Sequence, residues 1–408
     1  LVREKNKMGE GAFEGLRVLD ASQGVAGPHC GLLLAQHGAD VIKLEPHGGD
    51  WGRGLGRQYG GIGAFGTIYN RGKRSIAVDM KAPEGQAIAQ ELAAGADVVL
   101  ESFRPGVMAR FGIDYASVAK VNPGVVYMSV SGYGQDGPNS KLPVTDSIMQ
   151  AFSGLMSINR DAEGTPQRIG IIAIDIMTGL YAFQGVAPAL YRRLRTGQGR
   201  WVQVSLMETA LAFLSAKIVE YALEGPESEK LGAPLGTFRT ADGYINLNAR
   251  RDDNFRNFAT HIGRTDLIDD PRFCNAAARI AHEAELLPIV REAIARSPTA
   301  DWIRELAAID VLAGKVNDLG DVVQDDHVRA IGAVTTQVHP GIGSIPVAQT
   351  PGQDRFDSDP GAAVTSPIGS HSRAVLAELG RSAEEVERLI ASGVVKAAGD
   401  AQASAAAE

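Results

Sequence analysis

GLRVLDASQGVAGPHCGLLLAQHGADVIKLE, residues 15–45, decides how this chain folds. LRVLDAS (16–22) is a short apolar run with the composition of a buried strand. GPHCGLLLAQHG (27–38) reads as a helix, with Pro28 near its start and Gly38 where it should stop. ADVIKLE (39–45) supplies the next strand. Strand, helix and strand in about thirty residues make a βαβ unit. Its two strands lie parallel, and the crossover between them is nearly always right-handed.

Working outward, the alternation continues. SIAVDM (75–80), DVVLESF (97–103) and VVYMSVSGYG (125–134) are strands, and PEGQAIAQELAAG (83–95) is a helix opening on Pro83 and closing at Gly95. A long helix at about 176–195 ends on TGQG, and WVQVSLME (201–208) returns as a strand. Tandem β–α repeats of this kind mean an α/β fold, a mostly parallel sheet with helices on both faces. Ligands of such sheets bind beyond the carboxyl ends of the strands, so the loops after Ala21, Glu45, Met80, Phe103 and Val130 are the first places to look. Near residue 210 the texture changes: TFRTADGYINLNA (237–249) is a hairpin around Asp242–Gly243, and amphipathic helices follow between about 251 and 309, one starting at Thr299. This section reads as a separate α+β unit, and SPIGSHSRAVLAELG (366–380) as a return to the first one.

Composition narrows the function. The chain has 408 residues, 44% hydrophobic and 22% charged, enough for two or three units with real cores. A net charge of −8 argues against a nucleic-acid or anionic-membrane binder, since those carry clustered basic excess. Two cysteines exclude a disulfide scaffold and point to a reducing compartment, the cytoplasm. No apolar run reaches the ~18 residues that span a bilayer. The leading LVREKNKMGEG lacks the apolar core of a secretory signal, which makes Met8 a candidate natural start. The Ala-rich stretch from Lys396 to Glu408 is expected to fray.

Much of the glycine gathers in residues 48–72, where loop conformations are expected rather than a regular element. Within it, GIGAFG (61–66) fits the dinucleotide fingerprint letter for letter but is rejected, because neither a strand before it nor a helix after it is expected. The eight histidines are scattered, with no metal-ligand spacing, so no bound metal is expected. Cys30, inside an apolar helix, reads as a small buried hydrophobe rather than a nucleophile. Asp175, in RIGIIAIDIMTGLYA, stands where an apolar run enters a long helix. It is either an N-cap accepting backbone N–H groups or a preorganised nucleophile, and the two readings are compatible. Arg104 and Arg110 follow a sheet strand, either as ordinary solvated surface or as phosphate contacts. Asp146 in VTDSIMQAFSG reads as a helix cap first and a site residue second.

Taken together, these motifs resemble the class III CoA-transferases, the CaiB/BaiF or formyl-CoA transferase family. The resemblance runs from GLRVLD at 15 to IASGVV at 390 through LAQHGADVIKLEP, NRGKRSIAVDMKAPEG, ADVVLESFRPGVMARFGIDY, NPGVVYMSVSGYGQDGP, TGQGRWVQVSLME, FRTADGY, DDPRF and PIGSHSRAVLAELG. It implies a Rossmann-like, CoA-binding large domain made from both ends of the chain, 9–212 and 333–396, around a smaller α+β domain, 213–332; the composition of 397–408 adds the expectation of a disordered tail. It also implies an interlocked homodimer. The family's catalytic aspartate falls on Asp175, and its CoA contacts on Val25, Ala26, Val78, Asp79, Met80, Lys81, Ser102, Phe103, Arg104 and Arg110; an acidic residue near the aspartate matches Asp146.

The implied chemistry moves CoA from an acyl-CoA donor to a small carboxylic acid, through an aspartyl–acyl anhydride and an enzyme–CoA thioester. CoA is thus a substrate, with no permanently bound cofactor. Oxyanion donors are expected from backbone N–H groups near Asp175. Two alternatives remain on the same scaffold: a 2-methylacyl-CoA racemase and a CoA-binding protein without catalysis. The racemases of the family carry a histidine where this chain has Thr145. The oxalate-using members carry a run of glycines where this chain has LGAPLG (231–236), and a glutamine at the position of Val25.

Overall fold

The computed structural model describes residues 11–161, 163–226, 231–352 and 364–398. The chain divides into two units, Leu1–Ala216 with Gly332–Glu408, and Lys217–Ile331. The first unit begins β1 (Arg17–Asp20), α1 (Ala26–Gln36), β2 (Asp40–Glu45), the hairpin strands β3 (Gln58–Tyr59) and β4 (Ile62–Gly63), and α2 (Ala64–Tyr69). It continues β5 (Arg74–Val78), α3 (Pro83–Ala94), β6 (Val98–Glu101), α4 (Tyr115–Val121), β7 (Val126–Ser131), α5 (Asp146–Phe152) and α6 (Leu155–Ile158). Then come α7 (Ala173–Thr196), β8 (Arg200–Ser205) and α8 (Leu206–Phe213).

Seven strands form one sheet in the order β14-β5-β2-β1-β6-β7-β8, where β14 (Val395–Lys396) is the last strand of the described chain. All pairs are parallel except β14 on β5. The strands are apolar almost throughout because both faces are covered. Val18, Val41, Val98 and Val126 face a core built with α1, α7 and α8. Their neighbours Leu19, Ile42, Val99 and Tyr127 face the opposite core with α3, α4, α16 (Ser372–Glu378) and α17 (Ala383–Ala391). That is the period-two alternation of a pleated strand.

Several local expectations change. The run 201–208 is not one strand: β8 stops at Ser205, whose hydroxyl accepts from the Glu208 N–H while Glu208 accepts from the Ser205 N–H. This capping box starts α8 in the middle of the apolar run. The glycine-rich stretch is more ordered than expected, holding β3, β4 and α2. GIGAFG therefore does contain a strand and a helix, but β4 pairs only with β3, outside the main sheet. A dinucleotide fingerprint needs a sheet strand feeding its helix, so the rejection holds on different ground. At the far end, Lys396 pairs with Ala77 and Ala398 is buried, so these residues do not fray. Met8 and residues 399–408 lie outside the described residues.

In the second unit α9 (Ser215–Glu224), which begins just before the boundary, leads to the hairpin β9 (Leu235–Arg239) and β10 (Tyr244–Asn248). Helices α10 (Asp252–His261), α11 (Ala276–Ala281), α12 (Glu283–Ile294) and α13 (Thr299–Ala308) follow, then β11 (Leu312–Lys315), α14 (Leu319–Gln324) and α15 (Asp326–Ala330). Phe238, Ile245, Leu247, Phe258, Leu286 and Trp302 belong to its own core. The hairpin turn is tied to α13, because the Asp242 carboxylate accepts from the Thr299 N–H at 2.8 Å. Chain 332–352 returns to the first unit as the hairpin β12 (Val334–His339) and β13 (Gly343–Ala348), and 364–398 completes the sheet as described. Among the described residues no helix is long and apolar enough to cross a membrane.

Candidate active site

The carboxyl ends of β1 and β2 carry charge inside the core. Asp20 ends β1; Lys43 and Glu45 lie in β2; all are buried. Lys73, just before β5, donates to Asp20 Oδ2 at 2.7 Å and to the Pro28 carbonyl, in the first turn of α1, at 2.7 Å. Lys43 pairs with Asp50 at 3.1 Å and donates to the Ser22 carbonyl. Asp50 in turn accepts from the Gly24 N–H at 2.7 Å, and Arg53 is bonded to Glu45 through two nitrogens. Burial alone would raise Asp20, but Lys43 and Lys73 outweigh it and hold its pKa below the usual value. For Lys73 burial wins, lowering it to about 8.

This network fixes the loop between β1 and α1. Gly24 has φ +85° and lies so close to Trp51 that a Cβ would meet the indole at 2.3 Å. Only glycine combines that backbone with that approach.

The second cluster lies at the start of α7. Asp175 is the third residue of this helix, and Ile172 occupies the N-cap position, so Asp175 is not the cap that the sequence suggested. Asp146 corrects the companion expectation. It opens α5, yet its carboxylate reaches across to α7 and accepts from the N–H groups of Ile174 and Asp175 at 2.7 and 3.1 Å. Its other oxygen accepts from Gln150 at 2.5 Å. Asp146 therefore caps α7 from outside. Those bonds also occupy the Ile174 and Asp175 amides, two of the backbone groups near Asp175 among which oxyanion donors were expected.

Asp175 is partly buried, and among the described residues its carboxylate has no hydrogen bond and no cation. Burial first, and the Asp146 charge second, push its pKa up to about 7. Such a carboxyl is half ionised near neutrality, reactive as an anion and poorly solvated.

Helix α1 packs along α7 at this point. A Cβ on Gly179 would strike His29 Cβ at 2.6 Å and the Ala26 carbonyl at 2.8 Å. Hence Val25 and Ala26, at the start of α1, lie beside the first turns of α7. Ser102 joins the same loop, exchanging hydrogen bonds with the backbone of Gln23. Val78 ends β5 and Asp79 follows it; Met80 and Phe103 pack on the core beneath, and Lys81 is exposed. Arg104 and Arg110 are exposed and form no ion pair among the described residues. Arg104 borders a cavity of about 320 Å³ with Glu101, Tyr115, Tyr127 and Trp201. Glu101 there is pushed up to about 7 by burial. Most of the expected CoA residues thus follow the carboxyl ends of β1, β5 and β6; Arg110 lies farther on, in the turn Met108–Phe111, and Asp146 at the start of α5. Among the described residues no hydrogen bond or ion pair links Lys81 or Arg110 to Asp175.

The model of CoA-transferase family III matches residues 13–371 of this chain. The chain belongs to that family. It is 34% identical over 397 residues to succinate–glutarate CoA-transferase of Agrobacterium fabrum, covering 92% of this chain and 96% of that protein. Succinyl-CoA–D-citramalate CoA-transferase of Chloroflexus aurantiacus is 34% identical over 399 residues, 94% of this chain and 98% of the relative. The crystal structure of a CaiB/BaiF family protein from Brucella suis superposes with a TM-score of 0.81 at 32% identity, covering 91% of this chain and all of that one. The chain is thus an enzyme, a family III CoA-transferase, with CoA thioesters as substrates.

Sequence reading of this CoA-transferase gave no role to three groups: His29 and Tyr69, near the start of α7, and Lys73, in the charge network at the end of β1. His29 is buried and donates from Nδ1 to the Ile176 carbonyl at 3.0 Å; the carbonyl can only accept. Burial lowers its pKa to about 4, so the ring is neutral. Tyr69 packs on His29 with ring centroids 5.2 Å apart. Lys73 was quoted within NRGKRS without a role. A signal for the charge network does exist: beyond their partly buried first residues, Arg17 and Asp40, β1 and β2 are apolar except for Asp20, Lys43 and Glu45, and a charge buried in a two-sided sheet needs a partner. Nothing comparable marks Tyr69.

Proposed function

We propose that this CoA-transferase works by covalent catalysis at Asp175. A carboxylate oxygen of Asp175 attacks the thioester carbonyl, the C–S bond breaks, and CoA leaves as thiolate with an aspartyl–acyl anhydride behind. The thiolate then attacks the Asp175 carbonyl carbon, releasing the donor acid and leaving an aspartyl–CoA thioester. The acceptor carboxylate attacks that thioester, CoA leaves again, and its attack on the acceptor's carbonyl releases the new acyl-CoA. The observation that carries this reading is an uncompensated carboxyl, raised to about 7, beside the α1 loop. The CoA contacts proposed are Val25, Ala26, the 78–81 loop, Ser102, Phe103, Arg104 and Arg110. The names of the relatives favour a short dicarboxylate as acceptor and succinyl-CoA as donor.

The test is to mix the protein with succinyl-CoA, quench with hydroxylamine and map adducts by mass spectrometry. A hydroxamate on Asp175 is expected, and Asp175→Ala should lose both the adduct and CoA exchange. Exchange that survives in Asp175→Ala refutes the mechanism. Deuterium wash-in at the α-carbon of a 2-methylacyl-CoA, without an acceptor acid, would instead support a racemase. Because the nucleophile is the anion, the acylation rate should rise with pH through about 7 and fall as Asp175 is protonated below it.

We further propose a cytoplasmic homodimer. The dimer is supported by the exposed Tyr191 and Leu194 of α7 and Phe213 of α8, apolar side chains that a second copy would cover. Sedimentation at micromolar concentration should give twice the chain mass.

A further inference from the structure

Acyl transfer at Asp175 needs a donor for the negative charge that develops on the carbonyl oxygen. The amides of Ile174 and Asp175 already donate to Asp146, and the Ile176 N–H donates to the Ile172 carbonyl at 3.2 Å. The first turn of α7 therefore has none of these three amides to spare. Tyr69 is placed to help. It ends α2, with its ring held between His29 at 5.2 Å and Phe65 at 6.4 Å. His29 is itself anchored to the Ile176 carbonyl, one residue beyond Asp175, and Gly179 leaves the space for it against α7. Among the described residues nothing is hydrogen-bonded to the Tyr69 hydroxyl.

We infer that the Tyr69 phenol is a catalytic hydrogen-bond donor at the acyl-transfer centre, and that His29 is the positioning residue that holds it there. The inference rests on Asp175 being the nucleophile. As the Asp175 oxygen bonds to the thioester carbon, the π pair moves onto the carbonyl oxygen. That oxyanion accepts from the Tyr69 O–H without taking the proton. The pair then returns, the C–S bond breaks and CoA leaves as thiolate. A donor in this position must remain a phenol. Burial and the charge of Asp175 raise Tyr69 to about 12, which keeps the proton on oxygen at every working pH.

The test is Tyr69→Phe, which keeps the contacts with His29 and Phe65 and removes only the hydroxyl. Loss of one oxyanion donor lowers kcat by about 100-fold. Here kcat should fall by that order, with KM for succinyl-CoA and the affinity for free CoA within about twofold. In a single turnover the hydroxylamine-trapped adduct on Asp175 should still form, slowed by the same factor. If the wild type acylates Asp175 and Tyr69→Phe does so equally fast, or if only KM changes, the role of Tyr69 is refuted while the nucleophile stands. If the wild type forms no adduct on Asp175, the functional reading itself fails.

Discussion

Two clusters of charge in the first unit follow opposite rules. At the ends of β1 and β2, three acids (Asp20, Glu45, Asp50) meet three cations (Lys43, Arg53, Lys73), and nearly every oxygen has a partner. At the start of α7, two acids face each other with no cation among the described residues. Asp146 is satisfied by three donors, whereas Asp175 has none. Matching buried charges in number fixes a loop and leaves little free energy to drive reactions. Leaving one carboxyl unmatched costs stability, and the cost appears as a raised pKa and a reactive anion.

The contrast can be broken most forcefully at Lys73. Lys73→Met leaves Asp20 with Lys43 alone, and removing one partner from a buried pair costs about 3–5 kcal/mol. Urea unfolding should show a loss of that order; a change below about 1 kcal/mol would mean the network is not the support described. Gly179→Ala attacks the seam where α1 lies on α7. Its methyl meets His29 and the Ala26 carbonyl inside van der Waals contact, and overpacking costs about 1–3 kcal/mol. Unfolding should register the loss, and the acylation rate should fall with it.

Asp146→Asn sharpens the comparison by removing a charge from the mismatched pair. Asparagine keeps an acceptor oxygen for the α7 amides and caps about as well as aspartate, so unfolding should change by less than about 1 kcal/mol. Since part of the Asp175 shift comes from Asp146, the acidic limb of the rate–pH profile should move to lower pH. A limb that stays put would leave burial as the whole cause. The smallest effect is expected at Arg388→Ala, whose pair with Glu84 is about half exposed on both sides. Exposed pairs contribute ~0–1 kcal/mol, so unfolding should barely change.

Most of the sheet was legible because β1, β2, β5, β6 and β7 are largely apolar runs, and the 15–45 stretch alone contains a complete crossover unit. The strand at 201–208 was overrun because helix and strand share one apolar stretch there, and only the Ser205–Glu208 pair marks the change. At the site, Asp175 was visible as an acid at a helix junction. What it touches was not. Asp146 caps a helix other than its own, and Tyr69 meets His29 only after α2 folds back from a stretch whose glycines concealed it. Contacts of this kind depend on tertiary placement, which local periodicity does not encode.

The edge strand β14 has a consequence for biosynthesis. The Asp79 N–H, in the loop proposed to hold CoA, donates to the Val394 carbonyl, and Val395 pairs with Val78. On the ribosome, this loop is therefore left open until the whole inserted unit has been translated. The nascent chain must carry an unfinished β5 edge through that interval, exposed to mispairing and available to chaperones.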